Sequence, residues 1–288
     1  MLPLGGDEDL VARVDQPARV EPRGLVLLLH GLGGSSEREG LRRMGLSLQA
    51  AGLMVWRLNL RGAGPGRAHA AGTYAARCDA DLLPVLQRAR LAAEGRPLLG
   101  VGLSLGGTML LNACLSTAGL LDGLVCLSSP LDLEACSASI ERPRNRLYQR
   151  WLLARLRAQT LADPFGVTAA ERQALAGPQR VRTIRAFDAA ITAPRWGYAS
   201  VGHYYREASP LLRLPRSTSL PPSLLLHALD DPWVPAAATQ SLAAEPPPGV
   251  EVVLTRRGGH NGFHGMGDEP LRCWADQLTL GWLQGLLG

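Results

Sequence analysis

The sequence predicts an α/β fold: a mostly parallel central sheet flanked by helices, with a helical insertion late in the chain. Three observations carry that expectation. Short apolar runs alternate with helical patterns through the first half. These runs are continuous rather than alternating, as suits strands covered on both faces. Strand patterns then stop between residues 131 and 216 and resume afterwards.

Taken in order, Leu25–Leu29 is a buried-strand candidate ended by His30-Gly31, and a helix follows from Arg38 to Ala51, closed by Gly52. Met54–Asn59 is the next strand, succeeded by a glycine-rich loop from Arg61 to Gly66. Tyr74–Ala93 reads as a helix, with a kink expected at Pro84. Leu98–Val101 and Leu124–Leu127 are further strands, separated by a helix after Ser104. Beyond Ser128-Ser129-Pro130 the pattern becomes helical, most clearly at Asn145–Thr160. Strands return at Ser223–Leu229 and Val250–Thr255, and a helix from Leu271 to Leu287 closes the chain. The expected organisation is a core of residues 1–130 and 217–288, with residues 131–216 as a cap over it.

Of 288 residues, 46% are hydrophobic and 19% charged, which suits a globular enzyme with a large core. The net charge of +5 comes entirely from arginine, since the chain has no lysine. Read along the sequence, the arginines are scattered and no nucleic-acid-binding motif accompanies them, so a nucleic-acid partner is not expected. Five cysteines (Cys78, Cys114, Cys126, Cys136 and Cys273) form no C-x-x-C pair and read as buried thiols in a reducing compartment. The acidic N-terminus does not resemble a signal peptide, and no apolar run approaches the ~20 residues that span a bilayer. A cytoplasmic protein without an integral membrane segment is expected; the sequence leaves its oligomeric state open.

Chemistry is suggested first by Gly102-Leu103-Ser104-Leu105-Gly106, a G-x-S-x-G pattern straight after a strand. Such a turn holds the serine in a strained backbone conformation and lifts its hydroxyl clear of the sheet, which requires small neighbours. A serine between glycines arises easily by chance in a chain with 33 glycines. The pattern gains weight because an acid and then a histidine stand at the ends of later strands, in the order serine, acid, histidine. Asp230-Asp231-Pro232-Trp233-Val234-Pro235 lies after one strand and Gly258-Gly259-His260 after the last. Asp231 is preferred to Asp230 because it stands three residues before Val234 in a D-x-x-V-P arrangement, but the sequence leaves both aspartates open. Ser104, Asp231 and His260 are thus the candidate nucleophile, orienting acid and general base. The loop His30-Gly31-Leu32-Gly33-Gly34 is expected to supply an oxyanion donor from the Leu32 N–H, with the Leu105 N–H as the second. His264, four residues after His260, lacks the H-E-x-x-H glutamate, so neither a metal site nor any cofactor is expected. His30 reads as ordering its loop, and Asp79 and Asp81 as a solvated helix face.

His30–Ser36, Asn59-Leu60-Arg61-Gly62 and Gly102–Gly107 together resemble the YheT-like branch of the α/β hydrolases. Within the insertion, Thr183–Asp188, Ile191-Thr192-Ala193-Pro194, Gly197-Tyr198, Tyr204-Tyr205-Arg206 and Ala208-Ser209-Pro210 extend the resemblance, which spans Gly24 to Leu287. It implies an α/β-hydrolase fold with a Ser104, Asp231, His260 triad. Members of that branch are carboxylesterases and lipases, with lipid-active hydrolases and alcohol acyltransferases among their relatives. Two departures stand out. The stretch expected before the second helix survives only as Gly72-Thr73-Tyr74 and Asp81-Leu82, and the membrane anchor that eukaryotic relatives carry is not expected here, since no apolar run in the sequence answers to it. The expected activity is cleavage of a small carboxylic ester with an apolar acyl chain through an acyl-enzyme on Ser104. The alternatives are acyl transfer to an alcohol by the same residues, or a non-catalytic binding protein on an inherited fold.

Overall fold

The computed structural model describes residues 1–18, 21–218, 220–265, 268 and 273–287. Its frame is an eight-stranded sheet: β1 (Leu2–Gly5), β2 (Glu8–Asp15), β3 (Leu25–Leu29), β4 (Met54–Asn59), β5 (Leu98–Leu103), β6 (Gly123–Leu127), β7 (Ser223–Ala228) and β8 (Val250–Thr255). The spatial order is β1-β2-β4-β3-β5-β6-β7-β8. From β4 to β8 all neighbours run parallel, in registers such as Leu27↔Trp56 and Leu27↔Gly100. β1 and β2 form an antiparallel hairpin through Gly5 and Gly6, both at positive φ, and β2 pairs antiparallel with β4. Sequence reasoning misses this hairpin because β2 carries exposed and polar positions rather than a continuous apolar run.

The flanking helices are α1 (Glu39–Ala50), α2 (Asp79–Ala93), α3 (Leu105–Ser116), α4 (Leu133–Ile140), α5 (Arg146–Leu161), α6 (Ala169–Ala176), α7 (Ile184–Phe187), α8 (Ala193–Arg195), α9 (Val201–Ala208), α10 (Ala237–Ala244) and α11 (Trp274–Leu286). A π-helical turn, Asp188–Thr192, joins α7 to α8. Successive residues of β3 point to opposite faces, and both are dry. Leu25, Leu27 and Leu29 pack with Leu82 of α2 and Leu110 of α3, whereas Val26 and Leu28 pack with Leu41, Met44 and Leu48 of α1 and Leu283 of α11. Each such side chain, fully withdrawn from water, contributes about 1.5–3 kcal/mol. Between β6 and β7 the described residues contain helices and turns but no strand. The expected start of the last helix at Leu271 lies outside the described residues.

Three expectations need correction. The second helix begins at Asp79, not Tyr74. The backbone of residues 73–76 is already committed elsewhere: Trp196 Nε1–H, just after α8, donates to the Thr73 carbonyl, the Ala76 N–H to the Tyr204 hydroxyl of α9, and Asn112 Nδ2–H of α3 to the Ala76 carbonyl. Those bonds replace the first helical turn, while Pro84 sits inside α2 without ending it. Asp81 is not solvated: it is 2% exposed and its carboxylate is forked by the Arg61 guanidinium at 2.8–2.9 Å. Asp79 accepts from Arg77 and Ser116. Finally, the arginines are not scattered in space, because those on and just before α5 gather on one exposed face. The five cysteines are buried free thiols.

Candidate active site

The turn from β5 into α3 is built as its glycines require. Ser104 has φ 54° and ψ −125°, and its N–H donates to the Leu127 carbonyl at 2.7 Å. A Cβ on Gly102 would lie 2.2 Å from the Gly107 nitrogen, and one on Gly106 would lie 2.6 Å from the Leu29 carbonyl oxygen. Backbone cannot yield at such distances, so both positions must lack a side chain.

The loop after β7 brings an acid to this turn. Asp231 Oδ1 accepts the Trp233 and Val234 N–H at 2.9 and 3.0 Å, while Oδ2 lies 2.8 Å from His260 Nδ1. His227, beneath the loop, approaches the Val234 carbonyl through Nε2 at 3.1 Å. Burial alone would raise the Asp231 carboxyl. Hydrogen bonding and charge from His260, with the two N–H donors, hold it below its ordinary value. Asp230 is exposed and accepts the Gly259 N–H at 2.8 Å, pinning the loop that carries the histidine. Of the two aspartates, only Asp231 meets the imidazole. His260 Nε2 lies 2.9 Å from Ser104 Oγ, which completes a serine–imidazole–carboxylate chain.

The loop after β3 closes over the same serine. A Cβ on Gly31 would be 2.9 Å from the Ser104 Cβ, so glycine permits the close approach. His30 is buried, with Nδ1 at 2.8 Å from the Gly31 carbonyl and Nε2 accepting the Leu60 N–H at 3.3 Å. That pair of contacts places its proton on Nδ1. Burial lowers the His30 pKa to about 4, so the ring is neutral. The Tyr74 hydroxyl accepts the Gly33 N–H at 2.7 Å. With these anchors satisfied, the Leu32 and Leu105 N–H groups donate to no turn or loop carbonyl among the described residues. Leu105 also opens α3, where an N–H has no intrahelical acceptor.

A cavity joins Ser104, His260, Leu32 and Leu105 to apolar walls from Leu133, Ile140, Leu152 and Ile184. Tyr148 stacks on Trp233 at 3.4 Å between ring centroids, and Trp233 lies 4.9 Å from the His260 ring, roofing the imidazole. Sequence reasoning overlooks Asp188, which also lines this cavity. Its carboxylate accepts from Thr192 Oγ1 and the Tyr205 hydroxyl at 2.7 and 2.8 Å, yet burial pushes its pKa up to about 6. The available signal is a single carboxylate in the segment 184–192, whose other charged residue is Arg185. His264 turns away, 3.1 Å from Asp268. No group of three metal-ligating side chains occurs among the described residues.

Residues 26–273 match the model of the "Alpha/beta hydrolase family". The chain is 34% identical to the Escherichia coli (strain K12) protein YheT, which bears an esterase name, over 98% of this chain and 82% of that protein. It is 32% identical to mouse phospholipase ABHD3 over 84% of this chain, spanning 58% of the relative's length. Identity to the Saccharomyces cerevisiae medium-chain fatty acid ethyl ester synthase/esterase 2 is 28%, over 87% of this chain and 60% of that one. Among solved structures, Est1E from Butyrivibrio proteoclasticus with ferulic acid superposes with a TM-score of 0.61 at 16% identity, covering 96% of this chain and 95% of the other. A monoglyceride lipase variant from Saccharomyces cerevisiae gives 0.61 at 17%, covering 98% and 96%.

Proposed function

Because the chain belongs to the alpha/beta hydrolase family, we propose that it is a serine carboxylic ester hydrolase acting through an acyl-enzyme on Ser104. The observation that carries this reading is the continuous contact Ser104 Oγ–His260 Nε2 (2.9 Å) and His260 Nδ1–Asp231 Oδ2 (2.8 Å). Ser104 Oγ attacks the ester carbonyl carbon while His260 Nε2 takes the hydroxyl proton. The carbonyl electron pair moves onto oxygen, where the Leu32 and Leu105 N–H groups receive the developing charge. Loss of one such donor typically costs about 3–4 kcal/mol of barrier stabilisation. The tetrahedral adduct collapses, the ester C–O bond breaks and His260 returns the proton to the departing alcohol. Water, deprotonated by His260, then attacks the acyl carbon and releases the carboxylic acid and free Ser104. Asp231 holds the imidazole in the tautomer that presents a bare Nε2 and stabilises its cation.

The substrate reading rests on the cavity. Leu133, Ile140, Leu152 and Ile184 suit an apolar acyl chain lying under residues 131–216, which we read as a cap. Two of the relatives are named a phospholipase and a medium-chain fatty acid ethyl ester synthase/esterase, names that agree in chemistry with these walls. Acyl transfer to an alcohol would share every step up to the acyl-enzyme, and product analysis with added alcohol distinguishes it. The protein is expected to act in the cytoplasm; no helix among the described residues is long and apolar enough to cross a membrane. Ser104→Ala is expected to lower hydrolysis of a p-nitrophenyl ester by about 10⁴-fold or more with the melting temperature retained. Turnover equal to wild type would refute the assignment.

A further inference from the structure

The inner face of α5 lines the cavity, while its outer face is turned to water. Between residues 142 and 157 the chain carries six arginines and no carboxylate. Arg142, Arg144, Arg146 and Arg150 are exposed. Unlike Arg185 and Arg195, which pair with Glu134 and Glu171, these four join no ion pair among the described residues. In their midst two large apolar side chains stand one helical turn apart in water: Leu147, 79% exposed, and Trp151, 51% exposed. Arg155 lies over the Trp151 ring at 5.1 Å.

Alongside runs a groove between α5 and residues 180–183, lined by Arg146, Arg150, Arg157, Arg180 and Arg182 with Glu141 as its carboxylate. Burial and the neighbouring Arg180 charge both weaken proton binding at Arg157, the mark of like charges held together. Such a gathering repels itself unless an anionic partner relieves it. A single-sign field with apolar residues projecting from its middle is the pattern of a helix lying in a membrane–water interface.

Its position in the fold agrees. Leu152, on the buried face of α5, and Tyr148, at the edge between the two faces, line the cavity with Ser104. Trp151 is 5.9 Å from Tyr148, which in turn stacks on Trp233 beside His260. A surface bound at Trp151 would therefore be linked to the serine through the Tyr148, Trp233 and His260 rings.

We propose that α5 and the turn before it seat the protein peripherally on anionic phospholipid surfaces, arginines on the lipid phosphates and Leu147 and Trp151 among the headgroups. Docking rests on this patch alone; only its use, delivery of apolar esters from the lipid phase, rests on the hydrolase reading. The test is cosedimentation of the full chain with vesicles of phosphatidylglycerol mixed with phosphatidylcholine, against phosphatidylcholine alone. Binding is expected to the anionic vesicles and to fall at high salt. Each arginine near such a surface is worth about fivefold in partitioning. Arg146→Gln/Arg150→Gln should therefore reduce it roughly twenty-fivefold. Leu147→Ser should weaken it severalfold with the charge untouched, and both variants should hydrolyse a soluble short-chain ester like wild type. Equal binding to neutral vesicles, an unaffected double variant, or binding to RNA but not to vesicles would overturn the proposal. Ser104→Ala separates the two readings: it should still bind vesicles. Inactive wild type that binds vesicles sinks the hydrolase reading alone, and active wild type that binds none sinks the docking alone.

Discussion

Replacing Asp231 by asparagine changes one atom, and the surroundings dictate which way the amide must turn. Oδ1 faces two backbone donors, the Trp233 and Val234 N–H, so the amide oxygen must occupy that position. An NH₂ there would meet two N–H groups head on and leave them unsatisfied, at about 1–3 kcal/mol for each buried group. The amide nitrogen is thereby forced into the Oδ2 position, 2.8 Å from His260 Nδ1. Because it donates, Nδ1 must accept and the imidazole proton moves to Nε2. The nitrogen 2.9 Å from Ser104 Oγ then carries a hydrogen and can no longer take the hydroxyl proton. A wrong tautomer in this geometry costs about 10⁴-fold in kcat. At 1.36 kcal/mol per decade this is about 5 kcal/mol of barrier. Asp230→Asn is the matched control: its carbonyl oxygen can still accept the Gly259 N–H, so a change below about tenfold is expected. Steady-state hydrolysis of a p-nitrophenyl ester, with thermal melts to show that both variants fold, measures the contrast. An Asp231→Asn enzyme within tenfold of wild type, or a larger loss at Asp230, would refute the reasoning.

Other expectations concern stability. His30 binds its proton far more weakly when folded (pKa about 4) than in the unfolded chain near 6.5. The unfolded state therefore takes up the proton first as pH falls, and stability declines below pH 6.5, by about 3 kcal/mol on reaching pH 4. Urea denaturation across that window should show a decline that His30→Asn flattens; an unchanged slope would contradict it. The depressed Asp231 carboxyl acts in the same direction at lower pH. Its stabilisation is present above the unfolded carboxyl value and is lost as pH falls through the folded one. Removing Arg61 should leave the 2%-exposed Asp81 carboxylate unpaired in the interior and cost about 3–5 kcal/mol. Arg61→Met should lower the melting temperature strongly, whereas Arg96→Met, at an exposed pair with Glu21, should scarcely move it.

Sequence alone determines the elements whose signal is local. Continuous apolar runs in β3, β5, β6 and β7 are legible because strands covered on both faces need no polar alternation. Glycines around Ser104 are legible because the turn admits nothing larger. Chain order and strand ends suffice to name Ser104, Asp231 and His260 as candidates. What escapes the one-dimensional reading depends on long-range contacts. Tyr74–Cys78 looks helical until Trp196, Tyr204 and Asn112 claim its backbone groups from far along the chain. Asp81 looks solvated until Arg61 is folded onto it. The choice of Asp231 over Asp230 as the imidazole's neighbour depends on the loop conformation that turns two N–H groups onto one oxygen. The six arginines between residues 142 and 157 already lie close together in sequence; what packing adds is Arg180 and Arg182, brought from a separate segment to the groove beside α5. Periodicity and steric need are written within a few residues of one another. Pairing of charges, commitment of backbone donors and the making of a surface depend on which distant residues meet, and tertiary packing decides that.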